Sequence, residues 1–125
     1  WIDFFRNKPT QQAEWLDRNL CVEGLVVGDL ILAEVLQGFK DDKGVNEARR
    51  RLGPLEQVIV GGTDQAVEAA RHFRSLRAAG VPVRRKVDVL MATRCLADGF
   101  RLLHSDPDFD ALEKRLGLRV VNCQA

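Results

Sequence analysis

Apolar residues fall into short β-branched runs and longer segments of helical spacing, which follow one another along the chain. The run at 25–27 and the segment 56–60, which contains the run 58–60, are typical of strands, and the segments 100–103 and 118–121 predict two more. Apolar positions three and four residues apart predict helices at 1–7, 11–20, 30–38, 45–52, 64–79, 88–98 and 111–116. Because strands and helices alternate, we expect an α/β fold with a mostly parallel sheet and helices on both faces.

Polar residues and glycines mark the ends of several predicted helices. Thr10, Asp29 and Thr63 are each placed to cap the helix that follows them. Gly80 and Gly99 stand where two of the longer helices are expected to end. These signals separate the apolar segments into discrete elements joined by short turns.

Length and composition fit one globular domain, and we expect residues 1–125 to form it. The net charge is +1, so a nucleic acid would have to be bound by a local basic patch rather than by an overall positive field. No apolar run approaches the roughly 18 residues of a membrane helix, and we expect no membrane partner. Cys21, Cys95 and Cys123 lack metal-like spacing, which favours free thiols in the reducing cytoplasm.

Three carboxylates are expected to meet at one edge of the predicted sheet. Asp88 opens the helix that stops before Gly99, and Asp106 and Asp108 follow the predicted strand at 100–103. In an α/β unit, the turn after a strand and the start of a neighbouring helix both lie near the carboxyl edge of the sheet. Glu34, surrounded by apolar residues of an upstream helix, is a fourth candidate, because a carboxylate there is costly to bury without a partner.

Converging carboxylates point to a bound cation. Two unit charges about 4 Å apart repel by about 4 kcal/mol at an effective dielectric constant of about 20, so protons or cations must neutralise such a cluster. Mg²⁺ and Mn²⁺ prefer oxygen ligands, and an ion held in this way can lower the pKa of a bound water and stabilise charge on a phosphodiester. Four converging acids can therefore support metal-dependent phosphodiester chemistry.

Each of these acids also has a purely structural explanation. Glu34 fits the surface of an amphipathic helix, and Asp88 fits an N-cap position. Asp106 and Asp108 flank a proline in a common turn sequence, and either of them could cap the last helix.

His104 and the basic turn at 84–86 also have both a structural and a functional explanation. His104 is better explained as a hydrogen-bonded residue at the end of a strand than as a catalytic base. Arg84, Arg85 and Lys86 form a basic turn of a kind that is usually just solvated. Next to an acid cluster these three side chains could instead bind RNA phosphates, to which arginine is suited by its bidentate geometry.

Four segments that carry these residues resemble the PIN-domain family and, more narrowly, the VapC toxins of bacterial toxin–antitoxin pairs. They are Trp-Ile-Asp-Phe-Phe-Arg at 1–6, Ile-Leu-Ala-Glu-Val-Leu-Gln-Gly at 31–38, Val-Asp-Val-Leu-Met-Ala at 87–92 and Gly-Phe-Arg-Leu-Leu-His-Ser-Asp-Pro-Asp-Phe at 99–109. The segments occur in the family's order, and the resemblance extends over the whole chain. It implies a three-layer α/β/α sandwich with a mostly parallel sheet.

The resemblance also implies an activity and a set of site residues. The protein is expected to be a Mg²⁺- or Mn²⁺-dependent endoribonuclease in which a metal-activated water cleaves a structured RNA such as tRNA or rRNA. Glu34, Asp88 and Asp106 match the family's metal-ligating acids, and Asp108 matches a nearby or second-metal acid. Partners implied by the resemblance are a VapB-like antitoxin, which covers the acid pocket with a basic side chain, and a second copy of the chain in a homodimer.

One family feature has no counterpart in this sequence. The family's first strand carries an acid in an Asp-Thr-Ser-like motif just before the residue that matches Trp1, so we expect a chain truncated at its N-terminus and lacking that strand. Without the first acid, a catalytically silent PIN-like interaction module is a second hypothesis for the chain. A third hypothesis is a PIN nuclease of RNA processing.

Overall fold

The computed structural model describes residues 1–20 and 24–123, except for the side chain of Asp3. The described residues fall into two compact units, Trp1–Ile59 together with Cys123, and Val60–Asn122. The predicted free thiol of Cys21 lies outside the described residues. In the part of the chain that is described, no helix is both long and apolar enough to cross a bilayer.

The first unit combines helices with one pair of parallel strands. Its elements are α1 (Ile2–Phe5), α2 (Gln11–Asn19), β1 (Val26–Gly28), α3 (Asp29–Gln37), α4 (Asp42–Leu52) and β2 (Glu56–Val58). Val26 pairs with Glu56 and Gly28 with Val58. This parallel pairing, with helices between the two strands, confirms the α/β class.

The second strand, predicted within residues 56–60, is found at Glu56–Val58. The pairing with β1 begins at Glu56 and ends at Val58, so the strand is set by its register and not by its most apolar residues. Ile59, next along the chain, is 65% exposed, whereas Val60 is fully buried. The predicted start of the strand is therefore confirmed, and its predicted end was two residues too late.

Side chains of α3 and α4 and an aromatic group cover the buried face of β1. Val27, Val35 and Leu52 form the buried centre of this cluster, and Phe5 and Phe39 pack against it with ring centroids 6.0 Å apart. Three apolar neighbours of Glu34, namely Ile31, Leu32 and Val35, therefore belong to this core and fix the orientation of α3.

The second unit contains α5 (Thr63–Ala78), α6 (Lys86–Asp98) and α7 (Asp108–Leu116) around a shared core. The buried residues of this core are Ala69 and Leu76 from α5, Val89, Ala92 and Cys95 from α6, Phe109 and Leu112 from α7, and Leu102 and Leu118 from the segments outside these helices. Gly99 ends α6 in the left-handed conformation, with φ of 71°, as a helix-stopping glycine does.

The two strands predicted at 100–103 and 118–121 are reduced to one parallel bridge between Leu102 and Val120. The Leu102 amide donates to the Arg119 carbonyl and the Val121 amide to the Leu102 carbonyl, both at 2.9 Å. These predictions were wrong in extent, because the described residues pair at this one position only. The bridge nevertheless fixes the segment from which the chain turns towards α7.

Of the three predicted caps, one is confirmed. The Thr10 hydroxyl accepts a hydrogen bond from the Ala13 amide at 3.1 Å and caps α2. Thr63 lies inside α5, for which Gly62 is the capping residue, and Asp29 is the first residue of α3 rather than its cap. Both of these predictions were wrong by one position, a shift that leaves the helices themselves unchanged.

Cys95 and Cys123 are both free, as predicted. Burial, and secondarily the Asp98 carboxylate, raises the pKa of the Cys95 thiol from 9.0 to about 11. A thiol with a raised folded-state pKa stabilises the fold below pH 9.0, and that contribution is lost as the pH rises to about 11. At neutral pH the thiol is therefore protonated, and the thiolate is the nucleophilic form.

We expect Cys95 to react slowly with Ellman's reagent in the native protein at pH 8, and rapidly once the protein is unfolded in urea. Cys123 is more accessible and serves as the internal reference. A Cys95→Ala variant should lose only the slow phase of the native reaction. Fast native labelling of both cysteines would contradict the burial of Cys95.

Candidate metal centre

The second unit brings Asp88, Asp106 and Asp108 together. Each offers one carboxylate oxygen, and these three oxygens lie within 4.8 Å of one another. The convergence follows from two helix starts, since Asp88 lies in the first turn of α6 and Asp108 is the first residue of α7. Three of the four predicted acids are thus neighbours in the structure.

Asp88 is held in place by the buried face of its own helix. Val89 and Ala92 are fully buried in the core, and Asp88 beside them is only 6% exposed. The capping position of α6 belongs to Arg85, so the explanation of Asp88 as an N-cap is wrong. A carboxylate buried to this degree is costly unless positive charge compensates it, and Nη1 of Arg85 lies 3.9 Å from Oδ1 of Asp88.

The turn before α7 positions the other two acids. Oδ1 of Asp106 accepts a hydrogen bond from the Asp108 amide at 2.9 Å, and Nδ1 of His104 accepts one from the Asp106 amide at 3.2 Å. The His104 ring packs against Phe109 with centroids 4.7 Å apart. His104 is therefore a hydrogen-bonded structural residue, as predicted. The capping explanation is wrong, because Pro107 is the capping residue of α7, and the Asp106 carboxylate accepts its hydrogen bond within the turn.

The local charges partly offset the repulsion among the three acids. At an effective dielectric constant of about 20, two carboxylates separated by 4.8 Å repel by roughly 3 kcal/mol. The N-termini of α6 and α7 carry partial positive charge next to the acids. Nη1 of Arg84 lies 3.5 Å from Oδ2 of Asp108, and Nη1 of Arg85 lies 3.9 Å from Oδ1 of Asp88.

The basic turn therefore contacts the acid cluster directly. Arg84 and Arg85 face two of the three carboxylates, while Lys86 is the exposed first residue of α6. Sequence reasoning placed these residues near the acids but missed the ion pairs. The three-residue spacing of Arg85 and Asp88 at a helix start was the available signal.

A hard divalent cation fits this set of donors. Oδ2 of Asp108 is buried and accepts no hydrogen bond from the described residues, so it is available as a ligand. All three donors are carboxylate oxygens, which suits Mg²⁺ or Mn²⁺ better than softer metals. Oxygens bound to one Mg²⁺ lie at most about 4.2 Å apart, so a small rotation of the carboxylates from the 4.8 Å spacing is sufficient.

Glu34, the remaining predicted ligand, lies on α3 in the first unit and is half-buried. Val35 beside it is buried in the core of that unit, which fixes the face of the helix on which Glu34 lies. Its role as a metal ligand stays a prediction.

A buried polar contact, missed by sequence reasoning, supports the helix that carries Asp88. The Thr93 hydroxyl donates to the Val89 carbonyl at 2.7 Å and lies 3.3 Å from Nδ1 of His72 on α5. Because the hydroxyl proton is committed to Val89, Nδ1 of His72 must be the donor in the second bond. A threonine on the apolar face of α6 was the only signal in the sequence.

The PIN-domain family model matches residues 1–115, and the chain belongs to this family. It is also 30% identical to two curated relatives, VapC ribonuclease Mb1587 of Mycobacterium bovis and ribonuclease VapC11 of Mycobacterium tuberculosis. Each alignment covers 127 positions, which is 100% of this chain and 91% of the relative. The resemblance drawn from the four sequence segments is confirmed, and with it a PIN-like α/β fold.

Proposed function

We propose that the protein is a Mg²⁺- or Mn²⁺-dependent endoribonuclease that acts as the toxin of a toxin–antitoxin pair. The observation that carries the proposal is the convergence of Asp88, Asp106 and Asp108 at the starts of two helices. The 30% identical relatives are named as ribonucleases, which supports the same activity for this chain.

The acids have distinct roles in this proposal. Asp88, Asp106 and Glu34 hold the ion, and Asp108 is the nearby acid or the ligand of a second ion. When bound, the divalent cation supplies an activated attacking water and neutralises charge that develops on the phosphodiester. The hydrogen bond from the Asp108 amide to Asp106 holds the Asp106 carboxylate in a fixed orientation, so little reorganisation is needed when the centre is loaded.

The basic turn and the proposed partners complete the function. Arg84, Arg85 and Lys86 would bind phosphates of the RNA, and the ion pairs of Arg84 and Arg85 with the acid cluster support this proposal. The proposed substrate is a structured RNA, either tRNA or rRNA. A VapB-like antitoxin would inhibit the enzyme by covering the acid cluster, and two copies of the chain would form a homodimer in the cytoplasm.

The first test is RNA cleavage by the purified protein in Mn²⁺ or Mg²⁺ and in EDTA. We expect cleavage that requires the metal and that falls by about a hundredfold or more in Asp88→Asn and Glu34→Gln, because each change removes a metal-binding charge. Asp110→Asn is the matched control, since this acid lies in the same first turn of α7 as Asp108 but is exposed. Undiminished cleavage by Asp88→Asn would rule out the proposed centre.

The interaction-module hypothesis has one observation in its favour, the structural use of the Asp106 carboxylate as a hydrogen-bond acceptor for α7. Metal binding separates it from the nuclease. Mn²⁺ bound with a dependence on Asp88 indicates a working centre, whereas acids that serve only as turn residues and surface charge would bind Mn²⁺ weakly and without that dependence.

A further inference from the structure

Arg84 and Asp108 form an ion pair whose two members are in very different surroundings. The Arg84 side chain is 77% exposed, while Oδ2 of Asp108, 3.5 Å from its Nη1, is buried. No described residue donates a hydrogen bond to this oxygen. The guanidinium therefore supplies countercharge at a distance too long for a hydrogen bond, and it lies outside the rigid part of the centre.

The ion pair between Arg85 and Asp88 is less easily broken than the pair between Arg84 and Asp108. Arg85 is the capping residue of α6, and its backbone carbonyl accepts from the Asp88 amide at 3.3 Å. Its side chain is also less exposed than that of Arg84, at 46%. Arg84, one residue further from the helix, can change its rotamer without disturbing α6 or the core.

A divalent cation on Oδ2 of Asp108 would compete with this guanidinium for the same oxygen. A ligand oxygen lies about 2.1 Å from Mg²⁺, so with Nη1 remaining 3.5 Å from that oxygen the two cationic groups would be held close together. Like charges at such a distance repel, and the repulsion is strongest at low ionic strength. Binding of the metal and retention of the Arg84 pair are therefore antagonistic.

We propose that the Arg84 guanidinium is an exchangeable counter-ion of Asp108. A divalent cation must displace it in order to bind the Asp108 carboxylate. The proposal rests on the metal centre of the proposed function. On this proposal, Arg84 lowers the affinity of the centre for divalent cations. Asp108 is then a weaker metal ligand than it would be without the Arg84 ion pair.

The test is direct Mn²⁺ binding at low ionic strength, measured without RNA by the loss of the free-ion signal in electron paramagnetic resonance. Arg84→Gln is expected to bind Mn²⁺ about threefold or more tightly than wild type, a size typical of one exposed ion pair. Arg84→Lys, which keeps the charge, should stay near wild type. The difference between Arg84→Gln and wild type should shrink when salt is added.

Arg77→Gln is the matched control, because it removes the same charge from an exposed position in the last turn of α5. Equal tightening in Arg77→Gln and Arg84→Gln would indicate a general charge effect and overturn the proposal, as would an unchanged or weaker affinity in Arg84→Gln. A wild-type protein that binds Mn²⁺ without dependence on Asp88 would overturn the metal centre itself. If Mn²⁺ binding instead depends on Asp88 but is not changed by Arg84→Gln, the metal centre is kept and only the role of Arg84 is contradicted.

Discussion

Asp106→Asn is expected to abolish metal-dependent RNA cleavage while leaving the fold as stable as wild type. The amide oxygen of asparagine can still accept the 2.9 Å hydrogen bond from the Asp108 amide, so the turn before α7 is kept. The charge that would hold the cation is lost, and we expect cleavage to fall by about a hundredfold or more. Removing one of three mutually repelling carboxylates also makes the metal-free protein no less stable.

Asp106→Ala separates the two roles of this side chain. Alanine removes the hydrogen-bond acceptor together with the charge, so it should lose cleavage and also about 1 kcal/mol of unfolding free energy, the usual contribution of one hydrogen bond. Urea unfolding in EDTA and cleavage assays in Mn²⁺ measure the two effects independently. If Asp106→Asn cleaved RNA as well as wild type, Asp106 would be a turn residue only.

Mn²⁺ should also raise the midpoint of thermal unfolding of wild type and not that of Asp106→Asn. A ligand that binds only the folded state stabilises it in proportion to the logarithm of its concentration over its dissociation constant. This readout does not depend on knowing the RNA target. It therefore checks the centre even where cleavage of a chosen RNA is not observed.

The meeting of Asp88 with Asp106 and Asp108 could be predicted because it depends on local rules. A helix start and the turn after an apolar segment lie at the same edge of an α/β unit, and this held even though the segment at 100–103 pairs at Leu102 alone. The pairing was shorter than predicted because strand extent depends on a partner strand distant in sequence. Apolar content alone does not determine that partner.

The contacts that join distant parts of the chain around the acids could not be predicted, for a related reason. Arg84 reaches a residue 24 positions away, and Thr93 contacts a histidine on another helix. Such contacts depend on how α5, α6 and α7 pack, which periodicity does not specify. Helix boundaries were missed by one residue at Asp29 and Thr63, because these residue types are also common in the first turn.

Leu76→Ala is expected to have the largest effect on stability. Leu76 is 1% exposed, and it packs in the core that joins α5 to Val89 and Ala92 of α6. Truncation removes buried apolar surface and leaves a cavity, which costs about 3 kcal/mol of unfolding free energy. Because Val89 follows Asp88 directly, loosened packing of α6 should also weaken Mn²⁺ binding by the folded protein.

Val67→Ala is the matched control for this change. It is also an aliphatic truncation on α5, but Val67 is 62% exposed, so the expected loss of unfolding free energy is below about 0.5 kcal/mol. Urea unfolding of the three proteins in EDTA gives the stabilities, and Mn²⁺ titration below the unfolding transition gives the affinities. Equal losses of stability in the two variants would contradict the core assigned to α5. A large loss in Leu76→Ala with unchanged Mn²⁺ affinity would show that the acid cluster is positioned by the start of α6 and the turn before α7, independently of the packing beneath them.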